Sequence, residues 1–229
     1  EADTPFGWNA TRMAFAPDGR LLVGGIGGIR RFDVETGANE WLWRVPDTLM
    51  VMMAANADGR RIAAVVSVAD SKGLPAAPTA PDLAQWAGVF LFDAAGGAPR
   101  RILSHGSQLK RTALDGAGQV LVTGDETGVV RVGRADGGEP HLLLGHKSAV
   151  TAVALSPDGK WVVSACGPEI RLWPMPDLAK TPLHALPYDE LMPKLRALTN
   201  LRVVEDPAVA TGYKLDVGPF PGWRDLPTW

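Results

Sequence analysis

The stretch from Leu144 to Trp173 constrains the fold of this chain more than any other. It opens on Gly145-His146 and continues from Val150 to Leu155 as an alternating run, the period of a half-buried strand. Ser156-Pro157-Asp158-Gly159 then reads as a turn: the proline ring presets one φ angle, and Gly159 accepts a positive φ at no steric cost. Trp161 to Ala165 reads as a second strand, Gly167-Pro168 as a break, and Glu169 to Trp173 as a third. A single unit of this kind carries little weight. Its recurrence decides the fold class.

Three weaker copies precede it. The first runs through Thr11 to Ala16, Pro17-Asp18-Gly19, Leu21 to Val23 and Ile29 to Asp33. The second runs through Met50 to Ala54, Ala57-Asp58-Gly59, Ile62 to Val66 and Val89 to Asp93. The third starts at Ser104-His105-Gly106, turns at Gly116-Ala117-Gly118 and continues through Val120 to Thr123 and Val129 to Val132. Turn glycines 19, 59, 118 and 159 are 40, 59 and 41 residues apart. The long interval holds an insertion at about 68–85, rich in small residues and proline, which cannot bury enough apolar surface to order itself and predicts a projecting loop. Asp33 to Gly37, Asp93 to Gly97 and Ala135 to Gly138 each predict a turn into a fourth, outer strand, such as Trp41 to Trp43 or His141 to Leu144.

After Trp173 the pattern changes. Residues 181–186 are placed as the outer strand of the last repeat. Asp189 to Leu198 predicts a helix with Leu191, Leu195 and Leu198 on one face, Asp189 as N-cap and Pro193 tolerable only in the first turn. Leu201 to Val204 and Tyr213 to Val217 predict a strand pair. The closing residues, with Trp223 and Trp229 between prolines, read as aromatic anchors that pack on the preceding domain.

With these residues in view, the chain resembles WD40-repeat β-propellers, through Gly145-His146, Ser156-Pro157-Asp158-Gly159 and Arg171-Leu172-Trp173. Over 137–229 it is similar to the C-terminal WD40 region of bacterial multidomain proteins, notably eukaryotic-like serine/threonine kinases. Gly137 to His146, Val150 to Gly159, Arg171 to Asp177 and the Thr211-Gly212-Tyr213 and Gly218 to Trp223 segments carry that likeness. The resemblance implies an all-β fold: a WD40-type β-propeller portion of about four blades over 1–186, then a helix plus strand-pair tail over 187–229. It implies structural roles for His146, Ser164, Trp173, Asp158 and Gly159, the first three in a buried hydrogen-bond chain. Gly167 stands where that chain's Asp is expected, and Phe32, Phe92 and Gly133 replace the Trp in the other copies, so these blades are expected to rely on apolar packing. Four blades lie at the low end for closing a ring, so further blades are expected on another segment or another chain.

Composition narrows the partners. A net charge of −2 and pI near 6.1 give no electrostatic footprint for nucleic acid, and no apolar run is long enough to suggest membrane insertion in this segment. Cys166 is the sole cysteine, read as a small buried apolar residue. Gly24 to Gly28 mimics a phosphate-binding loop but lacks the Lys-Ser/Thr ending and the helix, so a tight turn between strands is expected. Kinase motifs are absent from these residues, and four scattered histidines suggest neither a metal site nor a cofactor. A His105–Cys166 nucleophile pair has no orienting residue in view. The doublets Arg30-Arg31, Arg60-Arg61 and Arg100-Arg101 read as solvated faces and turns. The expected function is a non-catalytic protein-interaction scaffold or subunit, or the sensory region of a larger signalling enzyme. Its candidate interaction surface is Ser104, His105, Lys147, Trp223 and Trp229.

Overall fold

The tight turns set the strand registers. In a computed structural model, which describes residues 12–69, 75–76, 88–106, 109–198, 201–209 and 211–217, the four turn glycines take φ of 79° (Gly19), 68° (Gly59), 68° (Gly118) and 70° (Gly159). Each donates its N–H to the carbonyl three residues back at 2.9–3.0 Å. Asp18, Asp58 and Asp158 each accept the N–H two residues ahead, at 3.1, 2.9 and 3.1 Å. The third turn uses Asp115 instead, whose carboxylate accepts from Gln119 and Val120. A short polar side chain thus closes every turn, and the strands on either side pair from its base.

The chain divides into two compact units, Glu1–Leu178 and Ala179–Trp229. In the first, β1 (Arg12–Phe15), β2 (Leu21–Phe32), β3 (Asn39–Ala55), β4 (Arg61–Ala69), β6 (Gly88–Asp93) and β7 (Arg100–Ile102) form one antiparallel sheet in that order, with the short β5 (Pro75–Ala76) on β4. A second sheet orders β8 (Leu109–Leu114), β9 (Val120–Asp125), β10 (Val130–Arg134) and β11 (His141–Leu143). The third holds β12 (Ala152–Leu155), β13 (Trp161–Cys166) and β14 (Glu169–Pro174). This is a mostly β, propeller-like chain of strand repeats. The inner strands β1, β3, β8 and β12 are neighbours in series, so the repeats stack face to face.

That stacking makes the core. Along β4, Ile62, Ala64 and Val66 pack with Leu22, Ile29 and Phe92 of the first cluster, while the alternate Ala63 and Val65 pack with Leu109 and Leu121 of the second. Both faces of the second repeat are therefore buried, which explains its unbroken apolar run. Val122, Val130 and Val132 of the third repeat join Val150 and Val162 of the fourth in the third cluster. Arginines stitch the same joints. Arg61 donates to Gly118 O at 3.0 Å, Arg31 to Ala94 O at 3.3 Å, Arg100 to the Ala135 and Asp136 carbonyls, and Arg111 to Thr151 O. Arg31, Arg61 and Arg100 are thus not simply solvated, as their doublets suggested; their guanidinium groups satisfy carbonyls elsewhere in the stack.

Several local expectations are corrected. Gly24 to Gly28 is no tight turn. It lies inside β2, bulged at Gly27 and Gly28 (φ 82° and 132°), so that the strand leaves β1 and pairs with β3. A Cβ on Gly28 would lie 2.1 Å from the Trp43 carbonyl oxygen, so the two backbones meet only because it is glycine. The continuous β3 then fuses the first two repeats into one sheet. The outer strand expected at 181–186 is instead a 3-10 turn, Leu183–Ala185, following Pro182. Of the insertion, residues 68–69 end β4 and Pro75–Ala76 form β5; residues 70–74 and 77–87 lie outside the described residues.

In the second unit, α1 (Tyr188–Leu198) starts one residue earlier than expected. Asp189 therefore lies in its first turn rather than at the cap, where its charge suits the helix dipole, and Pro193 falls inside the helix. β15 (Leu201–Glu205) and β16 (Tyr213–Val217) form the expected hairpin, with Lys214 Nζ 2.9 Å from Asp206 Oδ2.

Two glycines separate turn strain from repeat stacking. Gly128 has φ 92°, and a Cβ there would sit 2.7 and 2.9 Å from the carbonyl oxygens of His146 and Ser148. Gly159 has φ 70° with open space around it. Gly128→Ala should cost about 2–4 kcal/mol and Gly159→Ala about 1 kcal/mol, read as urea midpoints. Equal losses would show that the Gly128 turn does not seat against the fourth repeat.

Candidate functional site

The buried polar groups of the first unit lie between the later repeats. His146, on the loop entering β12, places Nε2 2.7 Å from Ser164 Oγ on β13. Trp173 on β14 donates its indole N–H to the same oxygen at 2.8 Å, and its ring meets His146 edge-on at 6.1 Å. Ser164 is 1% exposed, so this one hydroxyl ties together the entry loop and two strands. Gly145 makes the approach possible: a Cβ there would lie 2.2 Å from Arg171 Nη1 and 3.2 Å from the Trp173 ring.

The carboxylate partner of this chain comes from Glu169. Its Oε2 lies 3.5 Å from His146 Nδ1, an ion-pair rather than a good hydrogen-bond distance, while Oε1 accepts from Arg171 Nε. The Arg171 hydrogen bond holds the Glu169 carboxyl below its usual range. With the carboxylate on the Nδ1 side, the network assigns the imidazole proton to Nδ1 and the Ser164 hydroxyl proton toward Nε2. Strand register also corrects the sequence alignment. Counting from the turn glycines makes Ser164 equivalent to Thr123, and Cys166, not Gly167, equivalent to Asp125, with Arg171 and Arg131 as the strand partners of Ser164 and Thr123. Cys166 is buried as expected but also polar in use: its Sγ lies 2.9 Å from Ser148 Oγ and 3.3 Å from Ser148 O.

The third repeat builds a different network from the same positions. His105 Nδ1 lies 2.8 Å from Thr123 Oγ1. Its ring occupies the space a Trp side chain would need: a Cβ on Gly133 would lie 3.1 Å from His105 Nε2 and from Pro140 Cβ. Two residues beyond Thr123, Asp125 accepts from Thr127 N and Oγ1 (both 2.8 Å), Val129 N (3.0 Å) and Arg131 Nη1 (2.6 Å). Burial alone would raise the Asp125 carboxyl, but these donors outweigh it and hold it below the usual range. In the second repeat the equivalent positions are Ala64 and Phe92, and Trp43 packs edge-on against Phe92 at 5.0 Å. The expectation of apolar packing therefore fits the second repeat and fails for the third, while in the fourth His146, Ser164 and Trp173 are hydrogen-bonded.

The candidate surface is rearranged accordingly. His105, expected on an interaction face, is fully buried on the loop between β7 and β8, with its ring against Thr123 and Gly133. Ser104 is half-buried, whereas Lys147, Asp158 and Gly159 are exposed. Trp223 and Trp229 lie outside the described residues. His105 pairs through Nδ1 with Thr123 and Cys166 with Ser148, and no described hydrogen bond joins His105 to Cys166. Among the described residues no group of three or more His, Cys, Asp and Glu side chains is placed to hold a metal. No described helix is long and apolar enough to cross a membrane. A shallow pocket lies among Arg20, Arg31, Asp33 and Glu40, but Glu40 offsets both arginines at 3.6 and 2.5 Å.

The sequence reading missed Thr123, Asp125, Arg131 and Glu169. Gly118 and Gly159 held the signal for Thr123, since Thr123 and Ser164 both stand five residues beyond their turn glycine. It also missed the ends of the stack, where large apolar side chains meet solvent. Met13 and Phe15 of β1 are 65% and 62% exposed, and Ile170 and Leu172 of β14 are 73% and 59% exposed.

Two outcomes test the buried networks. Ser164→Ala strands the His146 and Trp173 nitrogens together, and should cost about 2–3 kcal/mol in chemical denaturation. His105 is held to a pKa of about 3 by burial and by the nearby Arg131 charge, against 6.5 when unfolded. Between those values the unfolded chain binds a proton the folded one refuses, so stability falls as pH drops below 6.5. The loss between pH 7 and 5 should be about 2 kcal/mol from this group, and His105→Asn should flatten that limb.

Comparison with known proteins accords with this geometry. Residues 138–174 match the family described as "WD domain, G-beta repeat". The fold is similar to a chain in "Crystal Structure of Mitotic Checkpoint Complex", with TM-score 0.55 and 15% sequence identity over 71% of this chain. That match spans 45% of the other chain, less than half its length. No curated protein matches this chain in sequence. The segment from β11 to β14 therefore matches a WD40 repeat, and the chain as a whole is propeller-like in fold.

Proposed function

We propose that this chain is a non-catalytic protein-interaction scaffold, a propeller portion that works as a subunit of a larger assembly. One observation carries the reading: polar chemistry is turned inward while apolar side chains are turned outward. His105, His146, Ser164 and Asp125 all bond to neighbouring strands, whereas Met13, Phe15, Ile170 and Leu172 stand in solvent at the ends of the stack. A hydrolase or transferase site needs the reverse, reactive groups converging in an accessible cleft. A rigid stack of sheets with exposed faces and variable loops suits recognition. Lys147, exposed beside the His146 network, offers a charged contact at the rim.

The likeness of 137–229 to the WD40 region of bacterial serine/threonine kinases favours a second reading, in which these residues are the sensory or regulatory part of a signalling enzyme. A coding sequence with a kinase domain joined to this one would favour it.

Cross-linking the tagged chain in its source cells, followed by reconstitution with the purified partner, tests the scaffold reading. We expect a stoichiometric protein complex that Lys147→Glu weakens by about tenfold, with hydrolase and phosphotransfer activity at buffer background. Turnover by the purified chain, abolished by changing a single side chain, would overturn it.

A further inference from the structure

The fourth repeat has three strands where the third has four. In the second and third repeats the chain turns back through Gly96-Gly97 and Gly137-Gly138, at φ of 117°, 104°, 106° and 92°, and lays β7 on β6 and β11 on β10. After β14 the sequence holds no glycine before Gly212, and Pro176 and Pro182 follow Pro174 closely. The same return has no residue there that takes a positive φ without strain. The sheet stops accordingly: among the described residues no strand pairs with the outer edge of β14.

The ladder fixes what that edge offers. Antiparallel strands turn the N–H and C=O of every second residue toward the same neighbour. Met175 N donates to Lys160 O at 2.8 Å, so Trp173, Arg171 and Glu169 bond back toward β13. Ile170 and Leu172 therefore aim their backbone groups the other way, and Pro174 has no N–H to add. Counting from the turn glycines, Ile170 is equivalent to Val89 and Val130, which pair with Ile102 and Leu143 of the outer strands. Val89 and Val130 are 0% exposed, whereas Ile170 is 73% exposed. Ile102 and Leu143 are themselves buried, so this position of an outer strand takes an apolar side chain.

We propose that the edge of β14 takes an extended segment of a partner protein as an antiparallel fourth strand. Strand addition draws affinity from main-chain hydrogen bonds and specificity from alternate side chains. The segment sets one apolar residue across from Ile170 and another across from Leu172, with proline at neither. The residue between them faces Arg171, as Leu142 faces Arg131 in the third repeat, so an aliphatic or acidic side chain suits it and a basic one is repelled. The same contact disfavours a second copy of this chain. The symmetric register that uses the outward groups of both residues pairs Ile170 with Leu172 of the other copy, and it sets Arg171 against Arg171. This inference rests on the scaffold reading and states how one partner engages.

A displayed library of random heptapeptides, panned on the purified full chain, tests it. Enriched peptides should share two apolar residues spaced two apart, with no lysine or arginine between them. Leu172→Pro removes one outward N–H and no bond to β13, and should weaken a synthetic enriched peptide by about tenfold while the urea midpoint stays near that of the unaltered chain. Leu172→Thr, which keeps the N–H, should weaken it less. N-methylation of the peptide residue that faces Ile170 should cost a similar factor against the unaltered chain, a readout that does not depend on a variant folding. Peptides that bind Leu172→Pro at full strength or tolerate the N-methyl group would overturn strand addition, as would a library that yields no such pattern. A cross-linked complex that Leu172→Pro leaves intact would sink the edge contact alone, because the scaffold reading fails only on its own cross-linking and turnover test.

Discussion

A β-sheet has two faces, and every apolar face in this chain must be covered by a neighbour. The repeats meet that demand by stacking. Ile62 and Ala64 look toward the first repeat while Ala63 looks toward the third, so the second repeat is buried on both sides. The joints are closed by apolar clusters and by arginines that reach neighbouring backbone carbonyls. The same demand, unmet at the two ends, leaves Met13, Phe15, Ile170 and Leu172 in solvent. Interior order and exterior stickiness thus have one cause.

Within that frame, the repeats satisfy their entry loops in different ways. The fourth uses a Ser hydroxyl shared by His146 and Trp173, with Glu169 behind the imidazole. In the third, a Thr serves His105, and an Asp–Arg pair anchors the β9–β10 turn. The second has Ala64 and Phe92 at those positions and fills the joint with aromatic rings. A buried hydroxyl without its partners costs more than a methyl group, so Ser and His come and go together. The fourth repeat keeps the His, Ser and Trp, the third keeps a His and a Thr without the Trp, and the second replaces them with hydrocarbon.

The turns were the most legible feature in the sequence. Pro-Asp-Gly and Asp-Gly fix local geometry through φ preference and one side-chain hydrogen bond, and neither depends on tertiary context. From them the strands of the second, third and fourth repeats followed, as did the His146–Ser164–Trp173 set and the hairpin of the tail. Errors arose where distant packing decides. The Gly24 to Gly28 run has the composition of a turn, but Trp43 approaching Gly28 makes it a bulged strand. Ser104-His105 resembled a surface loop, yet the absence of a side chain at Gly133 draws His105 inward. Glu169 is not legible in the sequence because its role follows from strand pairing across a short turn, which no linear spacing displays.

The account's central claim is that the end faces of the stack are where this chain meets its partner. Hydroxyl-radical footprinting, read by mass spectrometry on the free and assembled chain, tests it most directly, because Met13, Phe15, Trp161, Ile170 and Leu172 all report their own solvent contact. Both sets of side chains should lose reactivity on assembly, while the exposed turn at Asp158 changes far less. Assembly that leaves both end faces fully reactive would contradict it.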